Sequence, residues 1–239
     1  MADNAAPVFL LTRPRAQSER FAQQMRDVLG AQADIRIHSL QEIQALDVQV
    51  DLTGIAALAF TSENGARVFA DQSTRRDLPA YCVGDRTAAT ATELGFAAFS
   101  AGGTVDDLAD LIVAAKPQGR VLHLQGKHKA GDLVAALTAQ GVNAAGFEIY
   151  DQRALPVAPA LHALLLGQGQ VVAPIFSPRN AALFSQAVLG AEMTVQLLPI
   201  AISAATRDAL APEIAAICET ADHPSGANML QSLSRHISP

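Results

Sequence analysis

The sequence predicts an α/β protein built from two flavodoxin-like domains, each with a parallel sheet covered by helices. Short apolar runs recur along the 239-residue chain, amphipathic or alanine-rich segments separate them, and much of this pattern occurs twice. Strands that alternate with helices pair in parallel through right-handed crossovers. A repeat near half the chain length indicates two similar structural units, so we expect them to face one another with a ligand between them.

The elements follow from local patterns, taken here in chain order. Val8–Leu11 is a short apolar run typical of a buried parallel strand, and apolar residues recur at helical spacing from Ala16 to about Leu29. Gly30 follows and is expected to end this helix. Ile55–Phe60 and Tyr81–Val83 predict two further buried strands, each followed by a polar turn and an alanine-rich helix.

The repeat is clearest where apolar runs end in polar loops. Segments of the first half have counterparts in the second half, and the last match is loose. The matching pairs are Val8–Pro14 with Val121–Lys127, Phe60–Asn64 with Phe176–Asn180, and Val83–Thr87 with Ile202–Thr206.

Two segments, Ile35–His38 and Phe147–Tyr150, alternate polar and apolar residues, which is typical of half-exposed strands. If they pair as a two-stranded antiparallel ribbon, the chain leaves the first domain through one strand and returns through the other. Such a thin hinge allows two domains to open and close. The predicted boundaries are 1–37 with 154–239 for a discontinuous α/β domain, 38–153 for an inserted α/β domain, and 35–40 and 147–153 for the ribbon.

Composition supports a globular protein, since 50% of the residues are hydrophobic and 17% are charged. No apolar run approaches the roughly 20 residues of a membrane span, and the first residues lack the basic start of a signal peptide. We therefore expect a soluble, cytoplasmic protein without a membrane partner. Cys82 and Cys218 lie in different apolar segments, which predicts core positions and neither a disulfide framework nor a zinc site.

The formal net charge of −6 argues against a nucleic-acid partner, because phosphate backbones require clustered Lys and Arg. One loop is locally basic, since Lys127 and Lys129 flank His128. This loop either binds a carboxylate or phosphate or is a solvated turn. The sequence has no glycine-rich phosphate motif, nucleophile elbow or histidine pair with metal-ligand spacing, which predicts a protein without cofactor or metal. His123, in an apolar strand, is expected to be a satisfied core histidine.

Hydroxyl side chains follow the predicted strands at the points where helices begin. In parallel α/β sheets, free backbone N–H groups and the helix dipole favour anions at these ends. Each hydroxyl either is simply a cap, worth about 1 kcal/mol, or belongs to one of two facing arrays of anion-binding helix ends. These residues are Thr12, Ser62, Thr87, Ser177 and Thr206.

These motifs, in this order and spacing, resemble the uroporphyrinogen-III synthase family over almost the whole chain. Each motif is weak alone, and their agreement in register is what makes the resemblance specific. The motifs are Leu11–Pro14, Phe60–Ser62, Val83–Gly84 with Thr87, Gln125–Gly126, Glu148–Tyr150, Phe176–Pro178 and Thr206. The resemblance implies two α/β domains joined by a two-strand ladder.

The resemblance further implies a cofactor-free hydro-lyase of haem-type biosynthesis, and we expect a monomer. Its substrate would be the linear tetrapyrrole hydroxymethylbilane, which bears eight carboxylates. The reaction would remove water, invert ring D through a spiro intermediate and close the macrocycle to uroporphyrinogen III. Positioning of the substrate in the interdomain cleft would dominate catalysis.

Among site residues, the resemblance assigns Tyr150 to the chemistry, where its phenol would assist the departing hydroxyl. The alternative is a tyrosine that only packs in the ribbon. Arg13, Lys127 and Arg179 are candidates for additional positive charge, or else solvated side chains. The substrate-binding set is Thr12, Arg13, Thr61, Ser62, Asn64, Gly84, Thr87, Gly126, Lys127, Ser177, Arg179 and Thr206.

The sequence departs from the family pattern at Ser203 and Ala204, where glycine and proline are usual. We therefore expect Gly84 to contact substrate more closely than Ser203. The competing hypothesis is a non-catalytic, cytoplasmic two-lobed protein that binds or senses a small anion. It shares the lobes, the hinge and the helix ends, and differs in leaving its ligand unchanged.

Overall fold

The computed structural model describes residues 6–128 and 131–236. The strands are β1 Val8–Leu11, β2 Asp34–Ile37, β3 Gln41–Ala45, β4 Ile55–Phe60, β5 Ala80–Cys82, β6 Ala98–Ser100, β7 Arg120–Gly126, β8 Ala144–Ala154, β9 Gln170–Ile175, β10 Gln196–Ala201 and β11 Glu219–Thr220. The helices are α1 Arg15–Leu29, α2 Glu63–Gln72, α3 Asp85–Glu93, α4 Val105–Ala115, α5 Leu133–Ala139, α6 Pro159–Leu165, α7 Pro178–Leu189, α8 Ala204–Asp208, α9 Pro212–Ala215 and α10 Gly226–Ser234.

The described residues group into two compact units. Those up to Glu42 and from Arg153 onward form the first unit, and those from Ile43 to Gln152 form the second unit. The first helix shows how local sequence sets an element. α1 buries Phe21 and Met25 on one face and ends at Gly30, whose φ of 95° favours glycine.

Each unit contains a sheet dominated by parallel strands. The first sheet has the order β11-β10-β9-β1-β2, and its neighbouring strands are parallel. The second sheet has the order β3-β8-β7-β4-β5-β6, in which β8 through β6 run parallel. The predicted α/β class with two parallel sheets is confirmed.

The sequence repeat corresponds to equivalent strands in the two sheets. When β1 is matched with β7 and β9 with β4, the order β2-β1-β9-β10-β11 becomes β8-β7-β4-β5-β6, which is the order observed. Along the chain, however, the first unit has the flavodoxin order 2-1-3-4-5, whereas the five parallel strands of the second unit have the order 3-2-1-4-5. The two units are therefore related by a circular permutation of their elements.

The predicted pairing of Ile35–His38 with Phe147–Tyr150 is wrong. β2 pairs in parallel with β1 at the edge of the first sheet, and β8 lies between β3 and β7 in the second. The alternating pattern of Ile35–His38 reflects an edge strand, which is covered less than its neighbours. A ribbon that links the units stays a prediction.

Both faces of each sheet are covered by helices. In the first unit, Leu10 packs in one core with Phe184 of α7, and Phe9 packs in another with Met25 of α1. In the second unit, Phe60 packs with Phe69 of α2, and the remaining core joins the opposite face of β4 to α4 and α5. Successive residues of a strand point to opposite faces, so each central strand contributes to two cores.

Within residues 6–128 and 131–236, no helix combines the length and the apolar character that a bilayer crossing requires. Cys82 is buried in a core as predicted, and burial raises the pKa of its thiol to about 12. Cys218 is half-buried against the core that contains Leu10.

Candidate active site

Each sheet has a switch point, where the chain leaves two neighbouring strands in opposite directions. In the first unit this point lies between β1 and β9, and in the second between β4 and β7. Doubly wound sheets bind ligands outside the carboxyl ends of such strands. The sequence-predicted loops after Leu11, Phe60, Gly126 and Ile175 begin at these four strand ends.

In the first unit, Thr12 and Asn180 join the two strand ends. Both residues are fully buried. The Thr12 hydroxyl donates to Asn180 Oδ1 (3.2 Å), and Asn180 Nδ2 donates to the Thr12 carbonyl (3.1 Å). Thr12 follows β1 as predicted, but capping is the wrong role for it, because α1 begins after Pro14 without a side-chain cap.

Two arginines lie at the same edge of the first unit. The Arg13 guanidinium stacks 4.2 Å from the centroid of the Phe176 ring, which fixes its direction. Ser177 caps α7 by accepting from the Asn180 backbone N–H (3.2 Å). Arg179 follows in the first turn of α7, half-buried, and its Nε has no hydrogen-bond partner within the described part of the chain.

The next helix start of the first unit contains the departure from the family pattern. Ser203 caps α8 by accepting from the Thr206 backbone N–H (3.3 Å), and the two hydroxyls lie 3.1 Å apart. Thr206 itself is buried. In the second unit Gly84 is the corresponding cap residue of α3, and Thr87 is buried in its first turn. Thr87 and Thr206 therefore lie inside their helices, and neither is the cap.

In the second unit, Ser62 caps α2 by accepting from the Asn64 backbone N–H (3.2 Å). The preceding residue, Thr61, lies with its hydroxyl 3.0 Å from His123 Nε2. His123 is 3% exposed, which confirms the predicted core position, and its Nε2 is the ring atom that pairs with Thr61. The loop after β4 is thus held both by α2 and by β7.

Tyr150 connects the loops of this edge. The residue is only 4% exposed, and burial raises the pKa of its phenol, an effect opposed by hydrogen bonds with the Ser62 side chain and the Gly126 backbone. A Cβ at position 126 would lie 2.6 Å from the Tyr150 ring. Ser62, Gly126 and Tyr150 therefore come together, and the ring position requires glycine at 126.

The basic loop after β7 is partly neutralised. Lys127 Nζ lies 3.5 Å and His128 Nε2 lies 3.6 Å from the carboxylate of Asp151. Both side chains are exposed, so their contact with Asp151 is weakened by solvent. Lys129 lies outside the described residues.

Comparison with known proteins decides the family. The sequence model of the family described as Uroporphyrinogen-III synthase HemD matches residues 31–231, which include all of the second unit and most of the first. The chain belongs to the uroporphyrinogen-III synthase family. The resemblance drawn from the loop motifs is thereby confirmed, and the chain is an enzyme of porphyrin biosynthesis in the lyase class.

Solved uroporphyrinogen-III synthases share the fold. A uroporphyrinogen-III synthetase from Helicobacter pylori is 18% identical with a TM-score of 0.67, and the alignment covers 96% of this chain and 99% of that one. A mutant uroporphyrinogen III synthase from Thermus thermophilus is 15% identical with a TM-score of 0.52, covering 96% and 98%. No curated protein sequence is significantly similar to this chain.

Sequence reasoning missed several polar residues at the edges of this synthase. Asn180, Glu63 and Arg86 were seen only as parts of repeated motifs, and Asp151 was given no role in the site. Glu63 is buried, and arginines of α2 and α3 approach it. The position of Glu63 next to a capping serine was a usable signal for a helix start, although not for burial.

Gly84 of the synthase offers a test of close substrate approach. Its φ of −154° suits any residue, and an added Cβ would meet nothing within 4 Å. We expect Gly84→Ala to change the free energy of unfolding by less than about 1 kcal/mol and to raise KM several-fold, because the Cβ would obstruct substrate at the α3 N-terminus. Urea denaturation and steady-state kinetics measure both. An unchanged KM would remove Gly84 from the substrate-binding set.

Proposed function

We propose that this chain converts hydroxymethylbilane to uroporphyrinogen III by holding the substrate with the loops at the carboxyl edges of its sheets. The family match over residues 31–231 carries the proposal. The substrate loses water from its hydroxymethyl carbon to give a reactive azafulvene, which closes unaided to the uninverted isomer. The enzyme must therefore direct attack by the substituted carbon of ring D, through a spiro intermediate. Fixed orientation of this kind supplies about 7–11 kcal/mol in favourable cases.

Carboxylate recognition is the second part of the proposal. The helices capped by Ser62 and Ser177 present backbone N–H groups at the edges where ligands of doubly wound sheets bind. Charge-assisted hydrogen bonds contribute about 1.5–3 kcal/mol each, so a polycarboxylate needs few basic side chains. This reconciles an anionic substrate with a protein of net charge −6.

Arg13, Lys127 and Arg179 supply additional positive charge in this proposal. The Phe176 ring holds Arg13, and Arg179 has an unused Nε–H among the described residues. Lys127 shares Asp151 with His128, so we assign it the weakest contribution of the three.

Tyr150 is the proposed catalytic residue. Its phenol hydrogen-bonds with Ser62 and Gly126 and is mostly buried. A raised pKa makes the phenol a weaker acid near neutral pH, so its role is to hydrogen-bond the departing hydroxyl with little proton transfer. General acid assistance is typically worth 10²–10⁴-fold, and we assign Tyr150 a contribution at or below the lower end.

Tyr150→Phe is expected to slow turnover by about tenfold to a hundredfold, because the departing hydroxyl loses its hydrogen-bond donor. Single-turnover kinetics with freshly prepared hydroxymethylbilane measure this rate. Tyr81→Phe is the matched control, since Tyr81 lies within strand β5 and its ring stacks on Phe99. A full rate in the Tyr150 variant would show that the residue only packs.

The decisive experiment incubates the purified protein with hydroxymethylbilane and separates the isomers. Formation of isomer III faster than spontaneous closure is the expected result. Isomer I alone, at the uncatalysed rate, would remove the synthase function and favour the small-anion binding protein. Three further statements stay proposals. They are the cytoplasmic location, the monomeric state, and the division into one discontinuous and one inserted domain with a hinge.

A further inference from the structure

A buried carboxylate lies between two arginines in the second unit. Glu63 is the first residue of α2, and its side chain is only 8% exposed. Its Oε2 lies 3.7 Å from Arg67 of the same helix and 3.6 Å from Arg86 of α3. We call Glu63, Arg67 and Arg86 the Glu63 cluster.

The fold itself does not require the Glu63 cluster. When the cap residues Ser62 and Gly84 are matched with Ser177 and Ser203 of the first unit, the three cluster positions correspond to Pro178, Ala182 and Ala205. α7 and α8 pack beside the equivalent strands without these charges. Since burial of a carboxylate is costly unless it is paired, the cluster is an addition that needs a reason other than packing.

The cluster leaves positive charge at the surface. Two guanidinium groups share the single carboxylate of Glu63. Asp85, which precedes Arg86, accepts a hydrogen bond from Ser100 (2.7 Å) and keeps its own negative charge. Arg86 is the more exposed arginine, with 54% of its side chain accessible. It is the second residue of α3, two positions after the Gly84 cap at which we expect substrate to approach.

The geometry points to Arg86 as a binding residue for a carboxylate of the substrate, with Glu63 as the positioning residue that holds its guanidinium. This inference rests on the proposed function, because it takes the polycarboxylate substrate as the ligand. An arginine fork presents two parallel donors to a carboxylate, and a fixed guanidinium loses less entropy on binding than a free one. Glu63 is buried, whereas 54% of the Arg86 side chain is exposed, which leaves Arg86 accessible to a ligand.

The test compares Arg86→Gln and Glu63→Gln with wild type in steady-state formation of isomer III. We expect Arg86→Gln to raise KM about tenfold with little change in kcat, as loss of a charge-assisted contact common to ground and transition states does. KM should also rise less steeply with NaCl concentration than in wild type. Arg75→Gln is the control, because Arg75 is an exposed arginine whose guanidinium pairs with the nearby Asp77.

Glu63→Gln separates positioning from packing. We expect it to raise KM, and the double variant to have the KM of Arg86→Gln alone, because both changes remove one contact. A lower Tm of Glu63→Gln with KM unchanged would assign the cluster to stability and overturn the inference, as would an unchanged KM in Arg86→Gln. If Glu63→Gln does not fold, Arg86→Gln and Arg86→Lys still test whether Arg86 binds substrate. We expect Arg86→Lys to have a KM between those of wild type and Arg86→Gln. Wild-type protein that yields only isomer I would instead refute the proposed function.

Discussion

Asn180→Ala is expected to lower the free energy of unfolding by about 2–3 kcal/mol. The Thr12 hydroxyl would lose its acceptor in a fully buried position, which costs about 1–3 kcal/mol. The Thr12 carbonyl would lose one of its donors and retain the Leu40 backbone N–H at 3.1 Å. The cavity left by the amide adds the remainder. Urea denaturation followed by circular dichroism measures the loss.

Asn228→Ala is the matched control for this prediction. Asn228 lies three residues after a capping serine, Ser225, as Asn180 does after Ser177. The Asn228 side chain donates a hydrogen bond to that serine (2.8 Å) and is half-buried. A loss below about 1 kcal/mol is expected there. If both variants lost the same free energy of unfolding, the Asn180 result would be due to its position at a helix start. The hydrogen bonds between Asn180 and Thr12 would then contribute nothing measurable.

Local patterns in the sequence predicted much of the fold, because periodicity reports burial. The runs Val8–Leu11 and Ile55–Phe60 are central strands buried on both faces, and their repeats occupy equivalent places. The predicted pairing of Ile35–His38 was wrong because alternation of polar and apolar residues indicates a half-exposed strand but does not identify the strand with which it pairs. β2 and β3 are both edge strands close together in sequence, so the pattern alone did not separate their sheets.

The candidate site was predicted where chemistry is local and missed where it is distant. Ser62 and Ser177 follow apolar runs and start helices, so their caps were visible in the sequence. Thr12 bonds a residue 168 positions away, for which no spacing rule exists. Glu63 likewise lies next to two arginines, and one of them, Arg86, belongs to the next helix, α3. The depth of Tyr150 depends on Gly126, whose missing side chain makes room for the ring.

At their switch points, the two units differ in how the helix after one strand packs against the neighbouring strand. Gly65 of α2 and Asn180 of α7 occupy equivalent positions, each three residues after the capping serine. In the first unit the Asn180 amide spans the gap to Thr12 beyond β1. In the second unit α2 approaches β7 directly, and a Cβ at Gly65 would lie 2.8 Å from the Leu124 carbonyl oxygen. The switch point of the first unit therefore depends on the buried amide of Asn180, and that of the second unit depends on the missing side chain of Gly65.

Gly65→Ala is accordingly expected to destabilise the protein by about 1–3 kcal/mol, the usual cost of overpacking a core. The new methyl group would also lie 3.3 Å from the Phe60 ring, so both α2 and β7 must shift. Glycine to alanine in a helix normally gains up to about 1 kcal/mol, so the expected sign is opposite to the helix propensity. Gly226→Ala, in the first turn of α10 with nothing within 4 Å of its Cβ, is the control and should be neutral or stabilising. Urea denaturation of both variants, with hydrogen exchange at the β4 and β7 amides, locates the loss. A Gly65 variant as stable as the Gly226 variant would contradict the close contact between α2 and β7.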